Sequence, residues 1–281
     1  MKDFKIKSYA KVNLALNVTG KKGKLHKIES IISFIDLHDL IYIKISKKKN
    51  HKVSFKGKFS KNITKTNTVT NLLKLLDQKN FLDNQKIEIT IIKNIPQEAG
   101  MGGGSMNAAS LISFFMKKKI VKLSKNELIK LTKEIGSDVI LGIKPANIIL
   151  SSNGKIKRHY KNIKLHTLAV SPGFGCSTKD IYSRVKSFSK SQFSSPRKKM
   201  FKAEYLKKLN NDLEPIAFNK YPKLNKIKSF LLTTPNNIFV RMSGSGSSIV
   251  AYFHSRKACT NAYKQFKRKF NRHWCIASKT I

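Results

Sequence analysis

The stretch that most constrains this chain is a glycine-rich segment, Pro96 to Ala109. Before it, residues 86–95 alternate apolar and polar side chains, a pattern typical of a half-buried strand. After it, apolar side chains recur at helical spacing as far as Met116, and Ser105 is predicted to cap this helix. The glycines allow the backbone of such a turn to lie close to a ligand, because no side chains intervene.

A turn of this kind can bind phosphate, because the first amides of a helix are unpaired and carry the positive end of its dipole. The segment lacks the Lys-Ser or Lys-Thr ending of a Walker loop, and Ser105 replaces the last glycine of a dinucleotide-binding loop. We therefore predict a phosphate-binding loop of another type, and the alternative is a flexible corner between strand and helix. The segment predicted to form it consists of Pro96, Gln97, Glu98, Ala99, Gly100, Met101, Gly102, Gly103, Gly104, Ser105, Met106, Asn107, Ala108 and Ala109.

Composition indicates a globular protein of one large or two ordinary domains, since the chain has 281 residues, of which 40% are hydrophobic. No apolar run approaches the length that spans a membrane, and residues 1–20 lack the continuous apolar segment of a secretion signal. The three cysteines, Cys176, Cys259 and Cys275, show neither metal-ligand nor redox spacing. We expect a cytoplasmic protein with reduced thiols and no membrane partner.

The charge is strongly positive, because 57 Lys and Arg residues face 15 Asp and Glu residues and give a net charge of +42. Such a charge attracts nucleic acid and other polyanions, so a nucleic-acid-binding protein is one alternative. The lysines are nevertheless spread along the whole chain, with short runs at 47–49 and 117–119, rather than gathered in one patch. We favour a lysine-rich surface that helps to collect an anionic substrate, with no nucleic-acid partner.

The first predicted strand, residues 4–18, carries a candidate polar site. Its alternation places Lys11 and Asn13 on the same side, roughly 7 Å apart along the strand. The alternative is an ordinary solvent-facing side of the strand.

Further segments of the N-terminal half have clear signals. Alternation predicts strands at 28–35, 40–46 and 52–59, with 36–39 as a connecting loop. A helix follows Asn67 and Thr68, either of which can cap it.

Another helix begins with the capping box of Ser124 and Glu127 and ends at Gly136. Asp138 then lies at a turn, where it either caps the next short segment or supplies a carboxylate to a site. From this position alone, we favour the cap.

The C-terminal half begins with a hairpin signal at Asn153-Gly154 and a buried-looking strand at 165–170. Thr178 is predicted to cap a helix, and 188–202 to form a surface loop. The remaining predicted helices are 202–209, 212–218, 222–232 and 256–270, and the remaining predicted strands are 239–242, 248–253 and 273–277. The small residues at 243–247 form either a plain hairpin turn or a second turn that approaches a ligand.

Four motifs together resemble one known superfamily in order and spacing. They are Ala-Lys-Val-Asn-Leu at 10–14, the glycine-rich segment at 96–109, Gly-Ser-Asp-Val at 136–139 and Met-Ser-Gly-Ser-Gly at 242–246. These resemble the motifs of the galactokinase, homoserine kinase, mevalonate kinase and phosphomevalonate kinase superfamily. Within it, the chain is most similar to the kinases that act on a cytidine diphosphate-linked methylerythritol. That narrower resemblance rests on the first two motifs, on His26, on Pro172-Gly173 followed by Thr178, and on Asn211-Asp212.

The resemblance implies a two-lobed α/β (α+β) fold with the active site in the cleft between the lobes. Residues 1–160 would form a lobe like domain 2 of ribosomal protein S5 and carry the ATP loop, and residues 161–281 a ferredoxin-like lobe. It also implies transfer of the γ-phosphoryl group of ATP, with Mg²⁺, to the 2-hydroxyl of 4-(cytidine 5'-diphospho)-2-C-methyl-D-erythritol, a step of the non-mevalonate isoprenoid pathway. The alternative within enzymes is a sister kinase that acts on homoserine or mevalonate. The expected assembly is a monomer or a homodimer.

The resemblance further implies roles for individual residues. Lys11 and Asp138 would be the catalytic pair, and residues 96–106 would bind ATP. The substrate side would consist of Asn13, His26, Thr178, Tyr182 and Gly244, with Tyr182 stacked on cytosine. The metal ligands are not indicated.

Four positions depart from the pattern of the resembled kinases. Leu25 replaces a tyrosine, which removes one aromatic face proposed for the cytosine. Glu98 replaces a glycine and brings a negative charge into the phosphate loop, unless its side chain points away or helps to hold a metal. Met106 replaces a serine hydroxyl, and Ile140 replaces a proline.

Overall fold

The computed structural model describes residues 3–23, 25–160 and 163–281. These form two compact units, each built from separate stretches of the chain. Unit 1 comprises Met1–Ala10, Leu37–Gln97 and Gly102–Pro145, and unit 2 comprises Lys11–Asp36, Glu98–Met101 and Ala146–Ile281. The boundary predicted between residues 160 and 161 involves Lys161, which lies outside the described residues, so that boundary stays a prediction.

The strands along the described chain are β1 (Asp3–Lys22), β2 (Leu25–Ser46), β3 (Lys52–Lys56), β4 (Lys86–Ile92), β5 (Asn147–Leu150), β6 (Ile156–His159), β7 (His166–Ser171), β8 (Asn237–Met242), β9 (Ile249–Phe253) and β10 (Trp274–Lys279). The α-helices are α1 (Thr68–Gln78), α2 (Gly103–Lys117), α3 (Lys125–Ile135), α4 (Val139–Gly142), α5 (Thr178–Ser183), α6 (Ala203–Lys207), α7 (Glu214–Lys220), α8 (Pro222–Leu232) and α9 (Arg256–Lys269). The periodicity of the sequence located most of these elements.

In unit 1, β4 lies between β3 and the second part of β2. β3 pairs with β4 in parallel, and residues 40–46 of β2 pair with β4 in antiparallel register. The alternating isoleucines of β4, such as Ile89, are buried and pack with Leu72 of α1 and Phe115 of α2. This core places the end of β4 and the start of α2, and hence both ends of the glycine-rich segment.

The capping box predicted for α3 of unit 1 is confirmed, and of the two caps predicted for α1 the structure has Asn67. Asn67 accepts hydrogen bonds from the amides of Val69 and Thr70 at the start of α1. The amide of Glu127 donates to Ser124, and the Glu127 carboxylate accepts in return from the Ser124 amide, at the start of α3. Each pair satisfies amides that the helix itself leaves unpaired.

In unit 2, the main sheet has four antiparallel strands in the order β10-β7-β9-β8. α8 and α9 supply Leu224, Ile227 and Phe266 to its core, which also contains Leu168 of β7 and Ile249 of β9. The predicted hairpin at Asn153-Gly154 is confirmed, since β5 and β6 pair antiparallel on either side of it. β5 also pairs with residues 30–32 of β2.

Two predictions of loops are wrong in part. Residues 36–39 continue β2 as one strand, because Leu37 and Asp39 are buried rather than at a turn. Within the predicted surface loop 188–202, Phe193 is completely buried, and residues 198–201 form a 3-10 helix. In both cases tertiary contacts outweigh a polar local composition.

Candidate active site

The glycine-rich segment turns through three residues with positive φ. Glu98, Gly100 and Gly102 have φ values of 47°, 71° and 67°. The last of these is the N-cap of α2, so the helix begins at Gly103 and the prediction that Ser105 caps it is wrong. Ser105 lies instead within the first helical turn, because the left-handed conformation of Gly102 starts the helix earlier.

The start of α2 has the backbone features that the predicted phosphate site requires. No side chain caps it among the described residues, and the first hydrogen-bonded amide is that of Met106, which donates to the carbonyl of Gly102 at 2.8 Å. The amides of the first turn before Met106 therefore have no partner inside the helix. Unpaired amides at the positive end of a helix dipole suit a phosphate oxygen.

Within unit 2, four consecutive carbonyls of the same segment each accept a hydrogen bond. The Cys176 amide donates to the carbonyl of Glu98 at 3.0 Å, and the Ser248 amide donates to that of Ala99 at 3.2 Å. The Ser243 hydroxyl donates to the carbonyl of Gly100 at 2.9 Å, and the Lys11 amide donates to that of Met101 at 3.1 Å. Every carbonyl from 98 to 101 is thus bonded to unit 2.

The direction of these carbonyls determines the direction of the amides. In a planar trans peptide, the C=O of one residue and the N–H of the next point in opposite directions. Since the carbonyls of 98–101 point into bonded protein partners, the amides of 99–102 point away from those partners. Consecutive amides that do not face protein acceptors are the kind of donor set that holds phosphates.

Lys11 and Asn13 form a buried pair, which excludes the alternative of a solvent-facing side of the strand. Lys11 is 5% and Asn13 is 3% exposed, and the Lys11 ammonium donates to the Asn13 side-chain carbonyl at 2.8 Å. Asn13 donates its side-chain amide to the Ser30 hydroxyl at 2.8 Å and its backbone amide to the Ser243 hydroxyl at 3.2 Å. These bonds fix the position of the ammonium group.

The turn at 243–247 lies directly against the glycine-rich segment within unit 2. A side-chain Cβ added at Gly100 would lie 1.9 Å from the Ser243 carbonyl oxygen, so no larger residue fits there. A Cβ at Gly244 would lie 3.6 Å from the side-chain oxygen of Asn13. The Asn211 side chain donates to the carbonyl of Gly244 at 2.8 Å. Unit 2 therefore brings together the predicted residues Lys11, Asn13, Gly244 and 98–101.

Unit 1 holds the remaining parts of the predicted ATP and catalytic set. Asp138 occupies the N-cap position of α4, as we favoured, but its side chain makes no capping hydrogen bond to the described residues of that helix. The Ser105 hydroxyl lies 4.0 Å from the position of a Cβ at Gly136, two residues before Asp138. Pro96 is buried, and the Gln97 side-chain amide donates to the carbonyls of Phe59 and Lys61.

The predicted base-binding residues also lie together in unit 2. The ring centroids of His26 and Tyr182 are 5.2 Å apart. Burial, and secondarily the charge of Lys21, lowers the pKa of His26 below its usual range, so the imidazole is neutral at pH 7. Ser177 caps α5, so the predicted Thr178 cap is wrong, and the Thr178 hydroxyl instead lies 3.0 Å from that of Ser245.

The four departures from the motif pattern have distinct surroundings. The Glu98 side chain packs over Gly175, where its carboxylate oxygen lies 2.6 Å from the position of an added Cβ. Met106 is 1% exposed, and its sulfur lies 2.8 Å from the position of a Cβ at Gly142. The Met106 side chain therefore packs in the core of unit 1. Ile140 is half-buried in α4, and Leu25 is 75% exposed.

A buried carboxylate that sequence reasoning missed connects the two ends of the glycine-rich segment in unit 1. Asp39 is completely buried and accepts from the Lys93 ammonium, from the amides of Asn94 and Ile95, and from the Asn107 side chain at 3.0 Å. Residues 93–95 precede the segment, and Asn107 lies near its C-terminal end, in α2. The position of Asp39 in a polar stretch, 36–39, gave only the signal of a loop.

The sequence matches two family descriptions. Residues 67–155 match the "GHMP kinases N terminal domain" and residues 186–272 match the "GHMP kinases C terminal" domain. Over all 281 residues, the chain is 66% identical to a 4-diphosphocytidyl-2-C-methyl-D-erythritol kinase of Pelagibacter ubique, with both chains completely covered. The chain belongs to the GHMP kinase family. It is a small-molecule kinase, and within the family it belongs with the 4-diphosphocytidyl-2-C-methyl-D-erythritol kinases.

Other relatives of this kinase family extend the match. A 4-diphosphocytidyl-2-C-methyl-D-erythritol kinase of Caldanaerobacter subterraneus is 31% identical, with 99% of this chain and 96% of the relative covered. A crystal structure of 4-(cytidine 5'-diphospho)-2C-methyl-D-erythritol kinase is 21% identical and superimposes with a TM-score of 0.78, with 98% of this chain and 99% of that chain covered. The predicted α/β fold class and the predicted superfamily are thereby confirmed.

The described residues of the kinase contain neither a membrane-spanning helix nor a cluster of metal-binding side chains. No helix within them is both long and apolar enough to cross a membrane. Over the same residues, no group of three or more His, Cys, Asp or Glu side chains is arranged to hold a metal ion. The three cysteines are buried and form no disulfide, and burial raises the pKa of Cys176 and that of Cys259 to about 11.

Proposed function

We propose that this kinase transfers the γ-phosphoryl group of ATP to the 2-hydroxyl of 4-(cytidine 5'-diphospho)-2-C-methyl-D-erythritol, in isoprenoid precursor biosynthesis by the non-mevalonate pathway. The observation that carries the proposal is the 66% identity to the Pelagibacter ubique kinase along the full length of both chains. The buried Lys11–Asn13 pair and the outward amides of the loop are consistent with phosphoryl transfer.

ATP is the co-substrate that membership of the kinase family implies. We propose that the amides of residues 99–105 hold its β- and γ-phosphates, since these amides are turned outward or begin α2. Mg²⁺ would enter as part of the ATP substrate and neutralise phosphate charge. The Ser105 hydroxyl and the Asp138 carboxylate are oxygen donors of the type that Mg²⁺ prefers.

The proposed chemistry is an in-line displacement. The 2-hydroxyl oxygen forms a bond to the γ-phosphorus, the bond from that phosphorus to the bridging oxygen breaks, and its electron pair leaves with ADP. Asp138 orients the hydroxyl and accepts its proton. A carboxylate is a weak base for an alcohol, so the proton moves after bonding to phosphorus has begun. The Lys11 ammonium, held by Asn13, stabilises the negative charge that develops.

The substrate side is proposed to consist of Asn13, His26, Thr178, Tyr182 and Gly244, all in unit 2. The neutral imidazole of His26 offers one donor and one acceptor, which suits the polar edge of cytosine. A cytoplasmic location and a monomeric or homodimeric state stay predictions.

The test is a coupled ADP-release assay with the diphosphocytidyl substrate, homoserine and mevalonate. We expect the wild-type kinase to turn over only the first, and Lys11→Ala and Asp138→Asn each to lower kcat by at least about 100-fold, the usual size of a lost acid–base or charge-stabilising group. Lys130→Ala, an exposed site on α3, is the control for loss of one positive charge.

Other outcomes would favour the alternatives. Turnover of homoserine or mevalonate with equal kcat/KM would assign a sister kinase activity. Salt-sensitive binding of RNA or DNA without ADP release would favour the nucleic-acid-binding alternative. Near wild-type turnover by Asp138→Asn would remove Asp138 from the catalytic pair.

A further inference from the structure

A short segment of unit 2, residues 210–212, is bonded to the strand that carries Lys11. The Asp212 amide donates to the Leu16 carbonyl of β1 at 2.9 Å, and the Asp212 carboxylate accepts from the Val18 amide at 2.7 Å. Leu16 also forms a parallel β-bridge with this segment. The segment is therefore held in register with β1, a few residues beyond Lys11.

Asn211, in the middle of this segment, is 1% exposed and directs its side chain to the turn at 243–247. Its side-chain amide donates to the carbonyl of Met242 at 2.9 Å and to that of Gly244 at 2.8 Å. Its side-chain oxygen accepts from the Leu213 amide at 3.0 Å. The two carbonyls lie on either side of the Ser243 side chain, so one amide group fixes the backbone that presents it.

The Ser243 hydroxyl is the next link, because it joins β1 to the glycine-rich segment. It accepts from the Asn13 amide at 3.2 Å and donates to the Gly100 carbonyl at 2.9 Å. The Asn13 side chain in turn accepts from the Lys11 ammonium at 2.8 Å. A displacement of Ser243 therefore moves the group that holds the ammonium.

The strand before the turn has a second attachment. Glu214 is 6% exposed, and its carboxylate accepts from the Met242 amide at 2.6 Å and from the Lys228 ammonium. This attachment does not involve the Asn211 side chain. Loss of that side chain is therefore expected to displace the turn without unfolding unit 2.

We propose that Asn211 is a positioning residue for phosphoryl transfer, which acts through Ser243 on Asn13 and thereby on the Lys11 ammonium. The inference rests on the proposed function, because it requires Lys11 to stabilise the charge that develops at the γ-phosphoryl group. A charged group lowers the barrier most when it is held in place before the reaction. The hydrogen bonds that begin at Leu16 of β1 and return to Asn13 of the same strand hold it so.

The test compares kcat and both KM values in two variants of Asn211. Asn211→Ala removes both donors, and Asn211→Asp keeps the shape but presents a carboxylate oxygen to the two carbonyls. We expect each variant to lower kcat by at least about tenfold, because small displacements of a reacting group have effects of this size. The change in KM for ATP and for the diphosphocytidyl substrate is expected to be smaller than the change in kcat.

A double-mutant cycle tests whether Asn211 acts through Ser243. Ser243→Ala is expected to lower kcat by itself. Adding Asn211→Ala to Ser243→Ala should then lower kcat by no more than about a further twofold, since groups in one hydrogen-bond network are not additive. Losses that multiply would overturn the proposal. So would an unchanged kcat in Ser243→Ala, a result that does not depend on the stability of any Asn211 variant.

Leu231→Ala is the control for loss of stability, because Leu231 is completely buried in the core of unit 2 on α8. We expect it to lower the melting temperature and to keep the kcat of wild type. An equal fall in kcat in Leu231→Ala and Asn211→Ala, or an unchanged kcat in Asn211→Ala, would overturn the proposal. Wild-type kcat in Lys11→Ala would show that the proposed role of Lys11 is wrong, and that result is distinct because it needs no variant of Asn211.

Discussion

The Asp39 carboxylate of unit 1 fixes the chain on both sides of the phosphate loop. Its counter-ion, Lys93, is 4% exposed, so both charges of the pair are buried. Removing one member of such a pair leaves an uncompensated buried charge, which typically costs about 3–5 kcal/mol of unfolding free energy. We expect Asp39→Asn to lose stability of this size in urea denaturation and to raise KM for ATP more than it lowers kcat, since the loop is displaced rather than its chemistry removed.

A double-mutant cycle distinguishes a buried pair from two independent side chains. Lys93→Met removes the second charge, so Asp39→Asn combined with Lys93→Met should cost less than the sum of the two single substitutions. Additive losses would show that the two groups stabilise the protein separately. An unchanged KM for ATP in Asp39→Asn would contradict the positioning of the loop by Asp39.

The buried Lys11–Asn13 pair and the buried contacts of Asp39 differ in how far the sequence could predict them. Lys11 and Asn13 are two positions apart, so strand geometry alone places both on one side. The partners of Asp39 lie 54 to 68 residues away along the chain. No local pattern reports such distant contacts, and the polar stretch that contains Asp39 therefore predicts a loop where the structure has a buried strand.

The residues that cap helices are also difficult to predict from the local sequence. The periodicity of apolar residues located α2 and α5, but the cap predicted for each of them is wrong. Several polar residues or glycines lie within two positions of each start, and the backbone dihedral angles decide between them. At α2 the cap is Gly102, which has a φ of 67°. The presence of Ser105 in the sequence gives no indication of this conformation.

Because the glycine-rich segment contacts the turn at 243–247, we expect Gly100 not to tolerate replacement by a residue with a side chain. In Gly100→Ala the new Cβ would meet the Ser243 carbonyl oxygen at 1.9 Å, and the φ of 71° is also unfavourable for alanine. Gly154→Ala is the control, because Gly154 has a φ of 81° but no atom lies within 4 Å of its Cβ position. We expect Gly154→Ala to cost about 1–2 kcal/mol from the backbone conformation alone.

In urea denaturation, Gly100→Ala is expected to lose more free energy of unfolding than Gly154→Ala. It is also expected to lower kcat/KM for ATP, since the Gly100 carbonyl that is bonded to Ser243 must move. Equal losses of stability in the two variants would contradict the close contact between the segment and the turn.

The net charge of +42 belongs to the whole molecule and has opposite effects on folding and on substrate capture. Like charges repel one another in the compact state, whereas a positive surface attracts anionic substrates from solution. Both effects depend on the range of the electrostatic field, which falls from about 10 Å at 0.1 M salt to about 3 Å at 1 M. Salt therefore separates the two effects within one protein.

We expect the melting temperature to rise as NaCl increases from about 0.1 to 1 M, because screening removes repulsion. Over the same range of NaCl, kcat/KM for ATP and for the diphosphocytidyl substrate should fall because KM rises. The value of kcat, measured at saturating substrate, should stay nearly constant. Sucrose at matched osmolality is the control, because it stabilises proteins without screening charge. A melting temperature that falls with NaCl would mean that ion pairs outweigh repulsion, and a KM independent of NaCl would mean that the lysine-rich surface does not collect these substrates.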